Sequence, residues 1–242
     1  MDKKVSVIIP ACNEEKVIRE TAKFYREQDY PLEIIVVVNN SKDRTSKMAE
    51  GLSDKVLNFS GKIGAGGARN EGAKVAEGDI FIFSDADSYL EQGSVKLLVS
   101  EFDKNPNIVG SFSGKDDKNS LKGKIFFLFK NLAYRLKLHE GATAGTIFCS
   151  REIFFETSGF DSSKQPIDIH DFILKAKAAG ARYKFITSCH AVTSMRRYED
   201  GGYLKTIIFW LKLRLLSLLK INNNLAENYF KETKNVQKNN TR

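Results

Sequence analysis

Three apolar runs, Val5 to Ile9, Ile34 to Val38 and Ile80 to Phe83, each end abruptly at polar residues and are separated by segments of helical spacing. Runs of this length, without polar alternation, read as strands covered on both faces. Between the first two, Glu14 to Gln28 carries Val17, Ile18, Ala22 and Tyr25 at near-helical spacing, and Tyr30-Pro31 closes it. This is a β-α-β unit. The rhythm continues with a helix near Asp43 to Gly51, a strand near Lys55 to Phe59, a helix near Gly66 to Ala76 and a strand at Asp79 to Ser84. The order predicts an α/β fold with a Rossmann-type twisted, mostly parallel sheet flanked by helices.

From Phe102 onward the pattern is mixed. It reads as a helix before Asn105-Pro106, a strand near Ile108 to Phe112, an aromatic-rich helix near Leu121 to Leu138, a strand at Thr143 to Cys149, a helix at Ile167 to Ala179 and a strand near Arg182 to Ile186. Ligands of such sheets bind beyond the carboxyl ends of the strands. The residues to watch are therefore Asn13 and Glu14, Asn39 and Asn40, and Asp85 and Asp87.

Asp85 and Asp87 stand one residue apart, directly after a buried strand. Hard divalent cations take oxygen ligands and are shared between one or two carboxylates and a substrate's phosphates. Such a cation neutralises charge on a leaving diphosphate. The plainer reading is a solvated turn capping a helix after Glu91.

The segments Val5-Ser6-Val7-Ile8-Ile9-Pro10-Ala11-Cys12-Asn13-Glu14-Glu15, Val37-Val38-Asn39-Asn40-Ser41-Lys42-Asp43-Arg44-Thr45, Ala68-Arg69-Asn70-Glu71-Gly72 and Gly78 to Asp87 stand in an order and spacing that together resemble the family 2 glycosyltransferases of the GT-A fold. The resemblance covers roughly the first hundred residues, by the joint order of its motifs. It implies that Pro10, Ala11 and Glu14 contact the nucleoside of a nucleotide diphosphate sugar and that Asn40 lies at the base. It also implies that Asp85 and Asp87 face the ribose and a divalent metal, Mn2+ or Mg2+. Transfer would run with inversion onto an acceptor hydroxyl on a lipid, a glycan or another molecule. The family's usual acidic pair is Asn39-Asn40 here. An amide both donates and accepts where a carboxylate only accepts, so the nucleobase is left open.

The run from Gly61 to Asn70 is a glycine-rich loop opening a helix, a place where backbone N–H groups favour an anion. Arg69 there is expected to pair with a phosphate oxygen. In the second half, Gly159-Phe160-Asp161 and Asp168 to Lys175 resemble the family's Gly-Phe-Asp turn and the acidic motif that supplies the base for the acceptor hydroxyl. Ile169 takes the position of that motif's usual Asp. The candidates for the base are thus Asp171 and, second, Asp168, which lie three residues apart on one helix face. Asp168 equally suits a helix cap.

His190 follows the last expected strand, and a lone His is either a structural residue or a metal ligand beside Asp85 and Asp87. Arg196 and Arg197 are expected to clamp a diphosphate. The formal net charge of +8 calls for an anionic partner. Under the resemblance that partner is the donor rather than nucleic acid. Three widely spaced cysteines and an N-terminus without a signal-peptide core lead us to expect a cytoplasmic protein, working at the inner face of the membrane if its acceptor is lipid-linked.

We expect a GT-A-like domain over residues 1–200, with a nucleotide-sugar half (1–100) and an acceptor half (101–200). A C-terminal amphipathic helical appendage (201–230) and a polar, disordered tail (231–242) follow. Residues 203–221 wind into an apolar arc of Ile207, Ile208, Leu211, Leu215, Leu218 and Leu219. Such an arc packs on a core or lies on a membrane. Two rival functions remain: a nucleotide-sugar-binding protein with weak catalysis, and a nucleotidyltransferase. The latter needs a basic glycine-rich loop directly after the first strand, where this chain has Pro10 to Glu15.

Overall fold

The computed structural model describes residues 3–138, 140–164 and 167–196. Arg197, the helical arc at 203–221 and the tail at 231–242 lie outside the described residues. One compact unit ends at Thr193, and Ser194 opens another.

The first unit holds an eight-stranded sheet in the order β3-β2-β1-β4-β7-β6-β8-β5. Its first strands are β1 (Val5–Ala11), β2 (Leu32–Asn39), β3 (Lys55–Phe59) and β4 (Ile80–Ser84). These four are parallel, with Val5 opposite Leu32 on one side and Ile80 on the other. All of β4 is buried, as the unbroken Ile-Phe-Ile-Phe run demands. The sheet then changes direction: β7 (Thr146–Ser150) runs antiparallel to both β4 and β6 (Ile108–Asp116), and β8 (Arg182–Thr193) returns parallel to β6. A short β5 (Ser88–Leu90) pairs antiparallel with β8. The sheet is mixed rather than uniformly parallel, and the carboxyl ends of β1, β2, β4 and β6 share one edge.

The helices are α1 (Ile18–Arg26), α2 (Thr45–Ala49), α3 (Gly64–Val75), α4 (Ser94–Lys104), α5 (Leu121–Arg135), α6 (Arg151–Glu156) and α7 (Asp168–Ala178). Helix α1 begins four residues later than its apolar spacing suggests, because the carbonyl of Glu14 accepts from the N–H groups of Val17 and Ile18 in a preceding turn. Helix α3 begins earlier than expected and absorbs the glycine-rich stretch. A Cβ on Gly72 would sit 2.5 Å from Ile8 Cγ2, so this helix lies directly on β1 and β2. Gly66 faces the other way, where a Cβ would meet Asp168 Oδ2 at 3.1 Å and Phe160 Cβ at 3.3 Å. The glycines serve close packing inside a helix, where an anion-cradling loop was expected.

Behind β4 lies an aromatic core. The Phe83 ring meets Phe154 at 5.3 Å and Phe160 at 4.9 Å, and Phe160 meets Phe172 at 4.7 Å. These rings join the sheet to α6 and α7. Offset and edge-on pairs of this kind add about 0.5–1.5 kcal/mol each beyond their buried area. On the β6 side, Asn131 of α5 donates to the Gly114 carbonyl and accepts from its N–H, at 2.9 and 2.8 Å. Ser120 caps α5 by accepting from the Gly123 N–H. Among the described residues no helix is long and apolar enough to cross a membrane.

Candidate donor site

Strand β4 delivers Asp85 at its carboxyl end, and the Ser88 N–H donates to the Asp85 carbonyl at 3.0 Å. Residues Asp85 to Ser88 therefore form a β-turn into β5. The turn is fixed on two sides: the Asp85 N–H donates to the Gly145 carbonyl at 3.1 Å, and the Thr21 hydroxyl donates to the Ala86 carbonyl at 2.7 Å. Gly145 has a positive φ of 67°, and a Cβ there would lie 2.5 Å from Asp85 Oδ2. Only glycine accepts both that backbone and that approach. Asp85 and Asp87 are both half-buried.

The loops after β1 and β2 are joined by a ladder of side-chain bonds to backbone. The N–H groups of Asn13, Glu14 and Glu15 donate to Ser41 Oγ, Thr45 Oγ1 and Asp43 Oδ2 at 3.0, 2.8 and 3.1 Å. In return Asn13 Oδ1 accepts from the Lys42 N–H, and Glu15 accepts from the Arg44 backbone and guanidinium. Burial opposes ionisation of Asp43, but the Thr45 hydroxyl and the Glu15 and Thr45 N–H groups outweigh it, holding the carboxyl below its usual range. Asn13 and Asn40 adopt left-handed φ values of 57° and 52°, a conformation that asparagine tolerates better than most residues. Of the residues expected at a nucleoside, Ala11 is buried, Pro10 and Glu14 are half-buried and Asn40 is exposed. Pro10 and Ala11 end strand β1, and Glu14 and Asn40 sit on the joined loops that follow β1 and β2. Asn39 is buried, and its Oδ1 accepts from the Ile63 N–H at 3.2 Å, which ties β2 to the start of α3.

Arg69 is placed differently from its expected role. It is 4% exposed, and its two amino groups donate to Asp85 Oδ1 at 2.9 Å and Asp168 Oδ2 at 2.8 Å. Its Nε is buried with no acceptor among the described residues. Arg69 thus bridges the acidic turn and α7 through two carboxylates, with its guanidinium buried. Its neighbour Asn70 clamps Phe160 by donating to the carbonyl at 2.8 Å and accepting from the N–H at 2.9 Å.

Asp168 opens α7 with its side chain buried against Arg69 and does not cap the helix, whose N-cap position is Ile167. Asp171, one turn on, is ion-paired with Lys164 and with Lys175, the latter at 2.9 Å. The expected common face is thus divided between different partners. Burial pushes the Asp171 carboxyl up, but the two ammonium groups outweigh that and hold it below its ordinary value. A carboxyl depressed in the folded state stabilises fully above its unfolded pKa of about 4, and that stability is lost as pH falls through the lower folded value. Asp171→Asn is therefore expected to lower Tm at pH 7. Its deficit against the parent should shrink progressively as pH falls below about 4, and a gap independent of pH in a Tm series would refute this account.

His190 is not brought to the acidic turn. It lies in β8, its Nδ1 is 2.8 Å from Glu91 Oε2 and its carbonyl accepts from the Glu91 N–H. That is beyond the far end of β5 from Asp87, four residues and roughly 13 Å away at about 3.3 Å per residue. His190 thus reads as a structural partner of Glu91. Arg196 belongs to the second unit, where its N–H donates to Ser194 Oγ at 3.4 Å. Among the described residues no group of three or more His, Cys, Asp or Glu side chains is arranged to hold a metal. Two half-buried carboxylates in one tight turn nevertheless suit a hard cation that draws its other ligands from phosphate and water.

The mixed eight-stranded sheet flanked by helices is the GT-A fold. The chain belongs to the family described as Glycosyl transferase family 2, whose sequence profile matches residues 6–160. It is 42% identical over 107 residues to the Bacillus subtilis protein named Probable glycosyltransferase YdaM, covering 40% of this chain and 26% of that one. It is 32% identical over 146 residues to the Campylobacter jejuni GalNAc(5)-diNAcBac-PP-undecaprenol beta-1,3-glucosyltransferase, covering 52% of this chain and 47% of that one. These matches span less than half the length of either relative. Among solved structures, the mannosyltransferase PcManGT from Pyrobaculum calidifontis, in complex with GDP-Man and Mn2+, superposes with a TM-score of 0.63 at 20% identity. That superposition covers 88% of this chain and 65% of the other.

Proposed function

We propose that the chain is a metal-dependent, inverting glycosyltransferase that moves a sugar from a nucleotide diphosphate sugar to an acceptor hydroxyl. The observation that carries this reading is the Asp85-to-Ser88 turn at the carboxyl end of β4, joined through Arg69 to the first residue of α7. In this reading Asp85 and Asp87 hold a divalent cation, which supplies Lewis-acid stabilisation of the departing diphosphate. Pro10, Ala11, Glu14 and Asn40 line the nucleoside. The acceptor's proton goes to the first turn of α7. A base must first reach its proton, and Asp168 is the nearer to Asp85, since one guanidinium spans both. Asp171 is kept ionised by two lysines, ready to accept a proton but poorly disposed to keep it. An undecaprenol-linked acceptor in one relative's name makes a lipid-linked hydroxyl the first acceptor class to test.

One observation favours a second reading. Both α7 carboxylates are engaged in ion pairs, Asp168 with Arg69 and Asp171 with two lysines, which suits a nucleotide-sugar-binding protein with little turnover. A panel of UDP-, GDP- and dTDP-sugars, each with and without Mn2+, separates the readings. A donor at about 100 times its Kd stabilises the fold by about 2.7 kcal/mol, so one nucleotide should raise Tm by several degrees only when metal is present. Transfer of labelled sugar from that donor to a lipid-linked acceptor then supports the enzyme. Stabilisation without transfer supports the binding protein, and stabilisation indifferent to chelation refutes the metal-dependent site.

A further inference from the structure

Helix α5 carries a continuous apolar stripe on its outer side. Leu121, Ile125, Leu128, Phe129, Leu132 and Leu136 are all exposed, Leu128 and Phe129 by 65% and 66%. At 3.6 residues per turn these positions share the side opposite Gly123, Phe127 and Tyr134, which are buried. The inner side is accounted for: Phe127 packs on Gly114, and the Tyr134 ring lies 5.4 Å from Phe185. The stripe therefore adds nothing to the core of this unit.

Its flanks have one sign of charge. From Leu121 to Leu138 the chain carries Lys122, Lys124, Lys130, Arg135 and Lys137, with no Asp or Glu. On the helical wheel Lys124 and Arg135 fall on one border of the stripe and Lys122 on the other, while Lys130 turns inward over the Phe126 ring. An apolar face bordered on both sides by cations is the composition of a helix lying in a bilayer interface, its Leu and Phe among the acyl chains and its ammonium groups at anionic headgroups. An acidic protein groove would match the charge but would leave the outward span of six large apolar side chains without a reason.

We infer that α5 is a docking element for an anionic phospholipid surface. It starts just past Asp116, the last residue of β6, and Asp116 accepts from the N–H of its capping Ser120 at 2.7 Å. Since β6 ends at the same edge of the sheet as β4, docking brings the edge that carries Asp85 toward the membrane. The inference holds whether or not the acidic turn binds a donor.

The test is co-sedimentation of the full chain with vesicles of phosphatidylcholine alone and of phosphatidylcholine containing phosphatidylglycerol. Binding is expected only to the anionic vesicles and should weaken strongly at about 0.5 M NaCl, where screening lengths fall to a few ångströms. Leu128→Gln with Phe129→Gln should lower vesicle affinity at least about tenfold with Tm unchanged, because both positions are exposed. Lys122→Gln with Lys124→Gln should lower it several-fold on anionic vesicles. Phe129→Trp reads insertion independently, through fluorescence quenching by brominated acyl chains above the background of Trp210. Wild-type affinity in the Leu128/Phe129 variant, or no added quenching at position 129, would overturn the inference, as would failure of the parent to bind anionic vesicles.

Discussion

Replacing Asp87 by Ala is expected to lower kcat/KM for sugar transfer by about three orders of magnitude and to remove its dependence on Mn2+ or Mg2+. Loss of a single fixed group that stabilises developing charge costs about 10²–10³ in rate, and under the proposed function the variant would also lose one of the two carboxylates proposed to hold the cation. The fold should survive. Asp87 is half-buried in a turn outside the core, where the neighbouring Ser88 hydroxyl donates to it at 3.5 Å. Circular dichroism and Tm should therefore match the parent within about 1 kcal/mol, as for most substitutions outside the core. Initial rates across a metal titration are the measurement. Transfer within threefold of the parent, unaffected by chelation, would exclude the cation from the mechanism.

The largest effect on stability is expected at Arg69. Arg69→Met leaves Asp168, with its side chain 6% exposed, buried without its cation, and strips Asp85 of the same partner. Removing one partner of a buried ion pair costs about 3–5 kcal/mol, because a charge remains uncompensated. In a unit of this size that corresponds to a fall in Tm of about 10 °C. Lysine should not repair it, having one ammonium where two divergent amino groups are required. The decisive comparison is Arg69→Met with Asp168→Leu. Replacing both members by apolar groups is often close to neutral, so the double variant should recover a clear part of the loss in urea denaturation. A double variant that merely sums two independent losses would show that the bridge does not couple the pair.

The half of the molecule closest to the donor loops was legible because burial on both faces leaves a mark in composition. The strands β1, β2 and β4 are rich in Val, Ile and Phe, and polar residues follow each of them. Beyond Phe102 that mark fades. Strand β8 runs to Thr193, but it exposes Thr187 and Ser188 in its middle and shifts register against β6 between Phe112 and Ser113, so its apolar pattern breaks after Ile186. Strand direction has no local signature either, which is why the antiparallel entry of β7 between β4 and β6 was missed. Strand β5, of three residues, was hidden for the same reason: only pairing with β8, over a hundred residues away, makes it a strand.

At the site, the acidic turn was visible from position alone, and the role of Arg69 was not. A cation after a glycine-rich stretch reads as an anion binder, and nothing nearby signals that its partner is Asp168, 99 residues on. The glycines themselves held the missing clue, since Gly66 is small where α7 must approach. For His190 the sequence leaves a structural role and a metal ligand both open, and only the strand pair shows its ring beside Glu91. Asp43 and Thr45 were passed over, although their spacing allows the local side-chain bonds by which Asp and Thr organise a loop.

The ladder between the loops after β1 and β2 bears on the thermodynamics of binding. Three consecutive N–H groups, of Asn13, Glu14 and Glu15, are already satisfied by Ser41, Thr45 and Asp43, so this floor has its shape before any ligand arrives. A nucleoside laid on it need not freeze the loops, and the ordering entropy that usually erodes affinity has been spent in folding. Association there should resemble a key entering a cut lock, with calorimetric entropy close to that of a rigid pocket and an on-rate set by diffusion and charge.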